Sequence, residues 1–257
     1  MTKKRKAGST AVAGLPPRKR VCVEDDATIT EAAGLPPYPD GFLRDAPKGD
    51  ALNALVQLEF RGQVHLIHGA NESDVDWAAL ESAEVLGFDT ETAPVFAKGA
   101  APNPTALVQL STQDECWIFQ LLTISEATKK RLQCLLGSAT PVKAGVGVAD
   151  DYRDLCQFHF DSMTSAAGVL DLQDIVRPYG LKSTGLRALA AIFLGRRIAK
   201  SQQTSNWGSA QLKTSQLWYA AVDAWAGWQL HKTLRDLFAG SNTWAPPRVL
   251  MISDERT

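Results

Sequence analysis

Histidine and cysteine are scarce in this chain, with four residues of each in 257. The cysteines, Cys22, Cys116, Cys134 and Cys156, form no Cys-x-x-Cys pair, and no paired histidine spacing suggests a zinc site. They read as reduced thiols, those in the folded region partly buried. No run approaches the roughly 20 apolar residues of a membrane span. No apolar stretch follows the basic start, which argues against a secretory signal. A mitochondrial presequence would need an amphipathic Arg/Ser helix, and Pro16-Pro17 interrupts the segment where it would lie. At 45% hydrophobic and 21% charged residues, the composition is that of a soluble globular protein. It excludes disorder of the whole chain and a collagen-like or coiled-coil rod.

Acidic residues are absent from positions 1–20, which hold Lys3, Lys4, Arg5, Lys6, Arg18, Lys19 and Arg20. From residue 51 onward there are 18 basic and 21 acidic side chains, so the net charge of -1 joins two opposed segments. The first 50 residues contain two aromatics, Tyr38 and Phe42, and repeat Gly-Leu-Pro-Pro at 14–17 and 34–37. So little apolar surface does not offset ordering entropy, and residues 1–50 are expected to form a disordered tail. The echo is too short for a structural repeat. Residues 51–240 are expected to form one domain and 241–257 a second tail. The clusters Lys3–Lys6 and Arg18–Arg20 resemble a nuclear localisation signal of one or two parts, implying the nucleus and an import receptor. The alternative is a generic basic arm.

Leu55–Phe60 and Val64–Ile67 read as strands around a polar turn. Asn71 opens a short helix through Leu80. Strands are expected at Glu84–Glu91, Ala106–Ser111, Cys116–Gln120, Pro141–Val148 and Val169–Leu172. Helices are expected at Ser125–Leu136, Asp150–His159, Ser183–Leu194 and Thr214–Phe238. Early strands followed by alternating helices and strands point to an α/β sandwich on a mixed sheet.

Asp89 and Glu91 stand two apart in an apolar strand, so both carboxylates share one face. Two acids ending a central strand are costly unless paired. A hard cation such as Mg²⁺, which prefers carboxylate and water oxygens, would resolve that cost. Exposure at the strand end is the other reading. Tyr219 and Asp223 share a face of the last helix among Trp, Ala and Val. A plain Tyr–Asp hydrogen bond is the bland alternative. Ala144-Gly-Val-Gly-Val-Ala-Asp-Asp-Tyr runs from a strand into a helix start carrying Asp150, Asp151 and Asp154. Helix N-termini favour acids, so one of the three fits a cap. The missing third glycine excludes a dinucleotide fingerprint.

In this order the segments Phe88-Asp-Thr-Glu-Thr, Val146-Gly-Val-Ala-Asp-Asp-Tyr and Tyr219-Ala-Ala-Val-Asp-Ala resemble the three motifs of the DEDD superfamily of 3′-5′ exonucleases, in its Tyr-containing branch. Ala106-Leu-Val-Gln-Leu-Ser, Cys116-Trp-Ile-Phe and Ser205-Asn-Trp are similar to supporting text of that family. The likeness spans about residues 53–240 and is greater to the Werner-type exonuclease domain than to ribonuclease D. The second motif departs from the common Asn-x-x-aromatic-Asp pattern: Asn and the preceding aromatic are absent. Matching Lys143-Ala-Gly-Val-Gly places its acid on Asp151, with Asp150 the runner-up.

The resemblance implies a ribonuclease H-like three-layer α/β fold with a mixed central sheet flanked by helices. It implies hydrolysis from nucleic-acid 3′ ends with two Mg²⁺ or Mn²⁺ ions, held by Asp89, Glu91, Asp151 and Asp223. Tyr219 would orient the attacking water, since a group of ordinary pKa near 10 is a poor base at neutral pH. Thr90, Arg196, Arg197, Lys200 and Trp207 are candidate substrate contacts, the cations for phosphates and Trp207 for a base. Trp218, Trp225 and Trp228 read as packing residues, and His159 as structural. DNA in repair or replication-linked processing is the leading substrate reading. RNA 3′-end trimming of the ribonuclease D type is the same-chemistry alternative, and an inactive nucleic-acid-binding module is the alternative of another class.

Overall fold

Short runs of alternating apolar residues build one eight-stranded mixed sheet in the computed structural model, which describes residues 18–23, 38–97, 99–238 and 247–254. The strands are β1 (Lys19–Val23), β2 (Gln63–Ile67), β3 (Val85–Thr92), β4 (Thr105–Ser111), β5 (Glu115–Gln120), β6 (Val142–Gly145), β7 (Ser165–Asp171) and β8 (Arg248–Asp254). Their spatial order is β1-β8-β7-β6-β3-β4-β5-β2. β3, β6 and β7 run parallel at the centre, and β4 is antiparallel to both β3 and β5. The helices are α1 (Asp50–Asn53), α2 (Trp77–Ser82), α3 (Glu126–Gly137), α4 (Val148–Phe158), α5 (Leu172–Val176), α6 (Leu186–Leu189) and α7 (Thr214–Phe238). No helix among the described residues is long and apolar enough to cross a membrane.

Strand alternation separates the two faces. Leu86 and Phe88 of β3, with Val108 and Trp117, face a core completed by α3 and α4. Gly87, Asp89 and Glu91 lie on the opposite side, where Leu107 and Ile118 meet Ala220, Ala221 and Ala224 of α7. The small α7 residues are a geometric requirement. A Cβ on Gly87 would lie 2.1 Å from the Ala224 carbonyl oxygen, and one on Gly227 would lie 2.8 Å from that of Ala144. Glycine at both positions lets α7 rest directly on β3 and β6, which sets Asp223 above the end of β3. Gly87→Ala is therefore expected to cost more than the roughly 1–3 kcal/mol of ordinary overpacking, because the opposing atom is backbone and cannot turn away. Thermal unfolding would show a marked drop; an unchanged midpoint would refute the close approach.

Several boundaries differ from the sequence expectations. Leu55–Phe60 is not a strand: Gln57 makes a single bridge to Arg197, and Leu55, Val56 and Leu58 hydrogen-bond to that same residue. The expected tails contribute two strands. β1 pairs with β8, Leu250 and Ile252 are buried, and Lys19 forms a 2.9 Å ion pair with Asp254. The short segment Lys19–Val23 is ordered because β8 satisfies its backbone groups and Val21 packs on the core. Residues 38–50 also pack on the domain. Lys3–Lys6, both Gly-Leu-Pro-Pro stretches and positions 239–246 lie outside the described residues. The helix expected from Asn71 is a 3₁₀ turn at Glu72–Asp74, then α2 capped by Asp76. The Val-Gly strand stops at Gly145 because Gly147 adopts φ 79° and caps α4, so the second glycine serves a turn. The helix expected over 183–194 starts at Leu186 and ends in a π-helical turn, Ala190–Leu194.

Candidate active site

Asp89 and Glu91 reach the α7 side from the carboxyl-terminal end of β3, and Asp223 comes down from α7. One carboxylate oxygen from each lies within 4.8 Å of the others. Asp223 is buried and its Oδ1 has no hydrogen-bond partner. Like charges at low solvent exposure hold the protons on. Burial, then Asp223, Asp151 and Glu91, push Asp89 well above the usual carboxylate range. Burial, then Asp223 and Asp151, raise Glu91 to about 9 against the downward pull of Arg187. Burial lifts Asp223 to about 7, against the downward pull of Arg187 and a hydrogen bond from Tyr219. Three hard oxygen donors converging on one point, one of them orphaned, fit a divalent cation, whose charge would offset the repulsion.

Asp151 stands at the start of α4, outside that cluster of three. Thr90, between the two β3 acids, points to the other face and donates its hydroxyl to Asp151 Oδ1 at 2.5 Å. Burial raises Asp151 to about 7 even with that hydrogen bond lowering it. Asp150 is turned outward and ion-paired with Arg153. Of the two candidates for the second motif, the structure thus brings Asp151 to the site and leaves Asp150 at the surface. Thr90 anchors Asp151 and is also among the residues that line the neighbouring cavity.

Tyr219 is reached by a cation that sequence reasoning missed. Arg187 of α6 donates Nη2 to the Tyr219 hydroxyl at 2.6 Å and to the Ala199 carbonyl at 3.2 Å, and Nη1 to Gln203 Oε1 at 3.1 Å. Its one sequence signal was a lone cation within the apolar run Leu186–Leu194. Burial, followed by the Asp223 charge, moves the Tyr219 pKa further up, so its hydroxyl keeps its proton. With Arg187 donating to the oxygen, that proton is directed to the Asp223 carboxylate.

Asp89, Glu91, Asp223, Tyr219 and Arg187 line a cavity of about 670 Å³ that also includes Lys200, and Asp151 lies outside its lining. The remaining expected contacts fall elsewhere. Trp207 is 1% exposed and packs on Tyr219 with ring centres 5.8 Å apart, so it supports the tyrosine and cannot stack on a base. Arg197 donates Nε to the Leu55 carbonyl, committing its guanidinium to the chain fold. Arg196 is exposed and absent from the cavity lining. Trp225 donates to the Gln113 carbonyl and packs on Phe60, while Trp218 is 43% exposed. His159 Nε2 lies 2.7 Å from the Thr105 carbonyl, and burial lowers its pKa, in keeping with a structural place.

A family model described as "3′-5′ exonuclease" matches residues 65–239. A "3′-5′ exonuclease" of Arabidopsis thaliana is 30% identical over 197 residues, covering 70% of this chain and 66% of that protein. The mouse "Bifunctional 3′-5′ exonuclease/ATP-dependent helicase WRN" is 26% identical over 190 residues, covering 70% of this chain and 13% of that one. The chain thus spans just under two thirds of the plant relative and a small part of the mouse one. Among solved structures, the Aedes aegypti Nibbler EXO domain matches with a TM-score of 0.62 at 24% identity, over 71% of this chain and 93% of that one. Trypanosoma brucei RNase D in complex with RNA U12 matches with a TM-score of 0.59 at 20% identity, over 68% of this chain and 63% of that one. Both bear out the ribonuclease H-like mixed sheet flanked by helices.

Proposed function

Since the chain belongs to the 3′-5′ exonuclease family of the DEDD superfamily, we propose that it removes nucleotides from nucleic-acid 3′ ends, with DNA the principal substrate and Tyr219 placing it in the tyrosine branch. The observation that carries this reading is the meeting of Asp89, Glu91 and Asp223 within 4.8 Å, beside a tyrosine held by an arginine. The three carboxylates would hold a divalent cation, with Asp89 shared with a second, as Mg²⁺ or Mn²⁺. Bound there, such ions supply Lewis-acid stabilisation of the leaving oxygen and an acidified water. Asp151, fixed by Thr90, completes the acidic site directly or through a water. Tyr219 positions the attacking water by hydrogen bonding and together with Asp223, since its raised pKa rules out service as a base. Arg187 and Lys200 are the cations of the cavity lining, placed to meet substrate phosphate.

A second reading, RNA 3′-end trimming, is favoured by the likeness to the RNA-bound RNase D. Discrimination would rest on contacts to the 2′-hydroxyl. We place the protein in the nucleus, addressed through Lys3–Lys6 to an import receptor and serving repair or replication partners. Arg18–Arg20 contributes less to that address, because Lys19 is tied to Asp254 within β1. A reporter carrying residues 1–25 should concentrate in nuclei; a purely cytosolic signal refutes the placement.

End-labelled single-stranded DNA, recessed-end duplex and RNA should each be incubated with Mg²⁺ or Mn²⁺. A ladder is expected for DNA, lost in EDTA and in Asp89→Ala. No degradation of any substrate would leave the inactive binding module as the surviving reading.

A further inference from the structure

The active-site cavity has a wall that the family match does not cover. Ala46, Pro47 and Leu52 line it together with Asp89, Glu91 and Asp223. They belong to residues 38–53, ahead of the segment 65–239 that the family model spans. This strap is held down at both ends. Tyr38 packs edge-on against Tyr179 at 5.6 Å, and Phe42 against Phe193 at 5.4 Å. Arg44 lies over the Tyr38 ring and donates to the Tyr179 carbonyl at 2.8 Å, while Asp45 pairs with Lys182 at 2.9 Å. At the other end Arg197 bonds to Leu55, Val56 and Leu58. None of these holding residues lines the cavity itself, so docking and lining are separate tasks.

The cavity lining joins two kinds of surface. The acids, Tyr219, Ser183, Thr184 and the cations Arg187 and Lys200 are polar, while Leu186 and Ile198 add apolar surface. The strap offers apolar Ala46, Pro47 and Leu52, all half-buried and carrying no side-chain hydrogen-bonding group. A volume of about 670 Å³ lies within the roughly 300–1,000 Å³ of small-ligand sites. A nucleotide has the same division: a charged phosphate at one end and a flat base with apolar faces at the other. Phosphate at the acids and cations with the base against apolar lining matches a nucleotide to both kinds of surface. Resting on the reading above, we propose that the strap of residues 38–53 is the surface that receives the base of the 3′-terminal nucleotide, with Leu52 its principal contact and Tyr38 and Phe42 its positioning residues. Apolar contact reads no base edge, so binding of the terminal base is tolerant of its identity.

The test compares oligonucleotides ending in a normal 3′ nucleotide with ones ending in an abasic 3′ nucleotide. The wild type should show a KM about tenfold higher for the abasic end, because one lost apolar contact set is worth about that factor. Leu52→Ala should raise KM for the normal end about tenfold, leave kcat within about twofold and abolish discrimination against the abasic end. Tyr38→Ala/Phe42→Ala should do the same from a distance. Leu52 sits in α1, which buries no residue, so its variant keeps the test open if the aromatic pair fails to fold. Variants that lose activity equally on both ends, or retain the wild-type preference for a base, overturn the proposal while leaving the nuclease reading intact. A wild type that degrades neither substrate overturns both.

Discussion

Asp223→Asn is expected to abolish exonuclease activity and, in the absence of metal, to make the protein more stable. The activity loss should reach about 10³-fold or more, as for groups that act as one catalytic unit. The stability gain follows from linkage. Asp223 and Asp151 are raised from an ordinary 3.8 to about 7, and Glu91 from 4.5 to about 9. Between those limits the folded protein binds protons that the unfolded chain has released. Stability of the metal-free protein is thus fully present below about pH 4 and is lost as pH climbs through 7 and then 9. An amide at position 223 removes one of the crowded charges, and a gain on the order of 2 kcal/mol at pH 8 is expected. Thermal unfolding in EDTA from pH 5 to 9 should show a falling midpoint in the wild type and a shallower fall in the variant. Added Mn²⁺ should restore the wild type at pH 8 and the variant far less, since the variant lacks one of the three carboxylates that would hold the cation. A wild-type midpoint that rises with pH across this range would contradict the crowded-carboxylate account.

Arg187→Ala should be the most damaging change outside the acids. It removes the 2.6 Å donor to the Tyr219 hydroxyl and the charge that draws Asp223 downward. A charge-assisted hydrogen bond of roughly 1.5–3 kcal/mol corresponds to a fall in kcat of about 10- to 100-fold. Tyr219→Phe should fall by a similar factor, and the double variant by little more than either, because both changes break one unit. Arg187→Lys should rescue poorly: an ammonium offers no planar fork to span Tyr219, Ala199 and Gln203 together. Additive losses in single-turnover measurements would show that the arginine and tyrosine act independently. Full rescue by lysine would reduce Arg187 to a point charge.

Much of the site was legible along the chain because its parts are local. Two acids at alternate positions of a strand, and a tyrosine four residues before an aspartate on a helix, are fixed by the periods of those elements. The α/β class and most of the central strands followed from the same periodicities. What pattern could not reach was contact between distant segments. Asp150 and Asp151 are neighbours on one helix turn, and only the Thr90 hydroxyl on β3 tells them apart. Arg187 and Tyr219, 32 residues apart, meet because the turn after α6 folds against α7. Trp207 has the composition of a stacking residue but the burial of a core one. The segments at 18–23 and 38–53 are too short to form a core of their own, yet a sheet edge and an aromatic pocket elsewhere complete them. The chain by itself therefore determined the chemistry, since which acids and which tyrosine can converge depends on short-range geometry. Tertiary structure alone decided which of two adjacent acids serves, what holds the tyrosine and what walls the cavity, because those depend on burial shared between residues far apart in the chain.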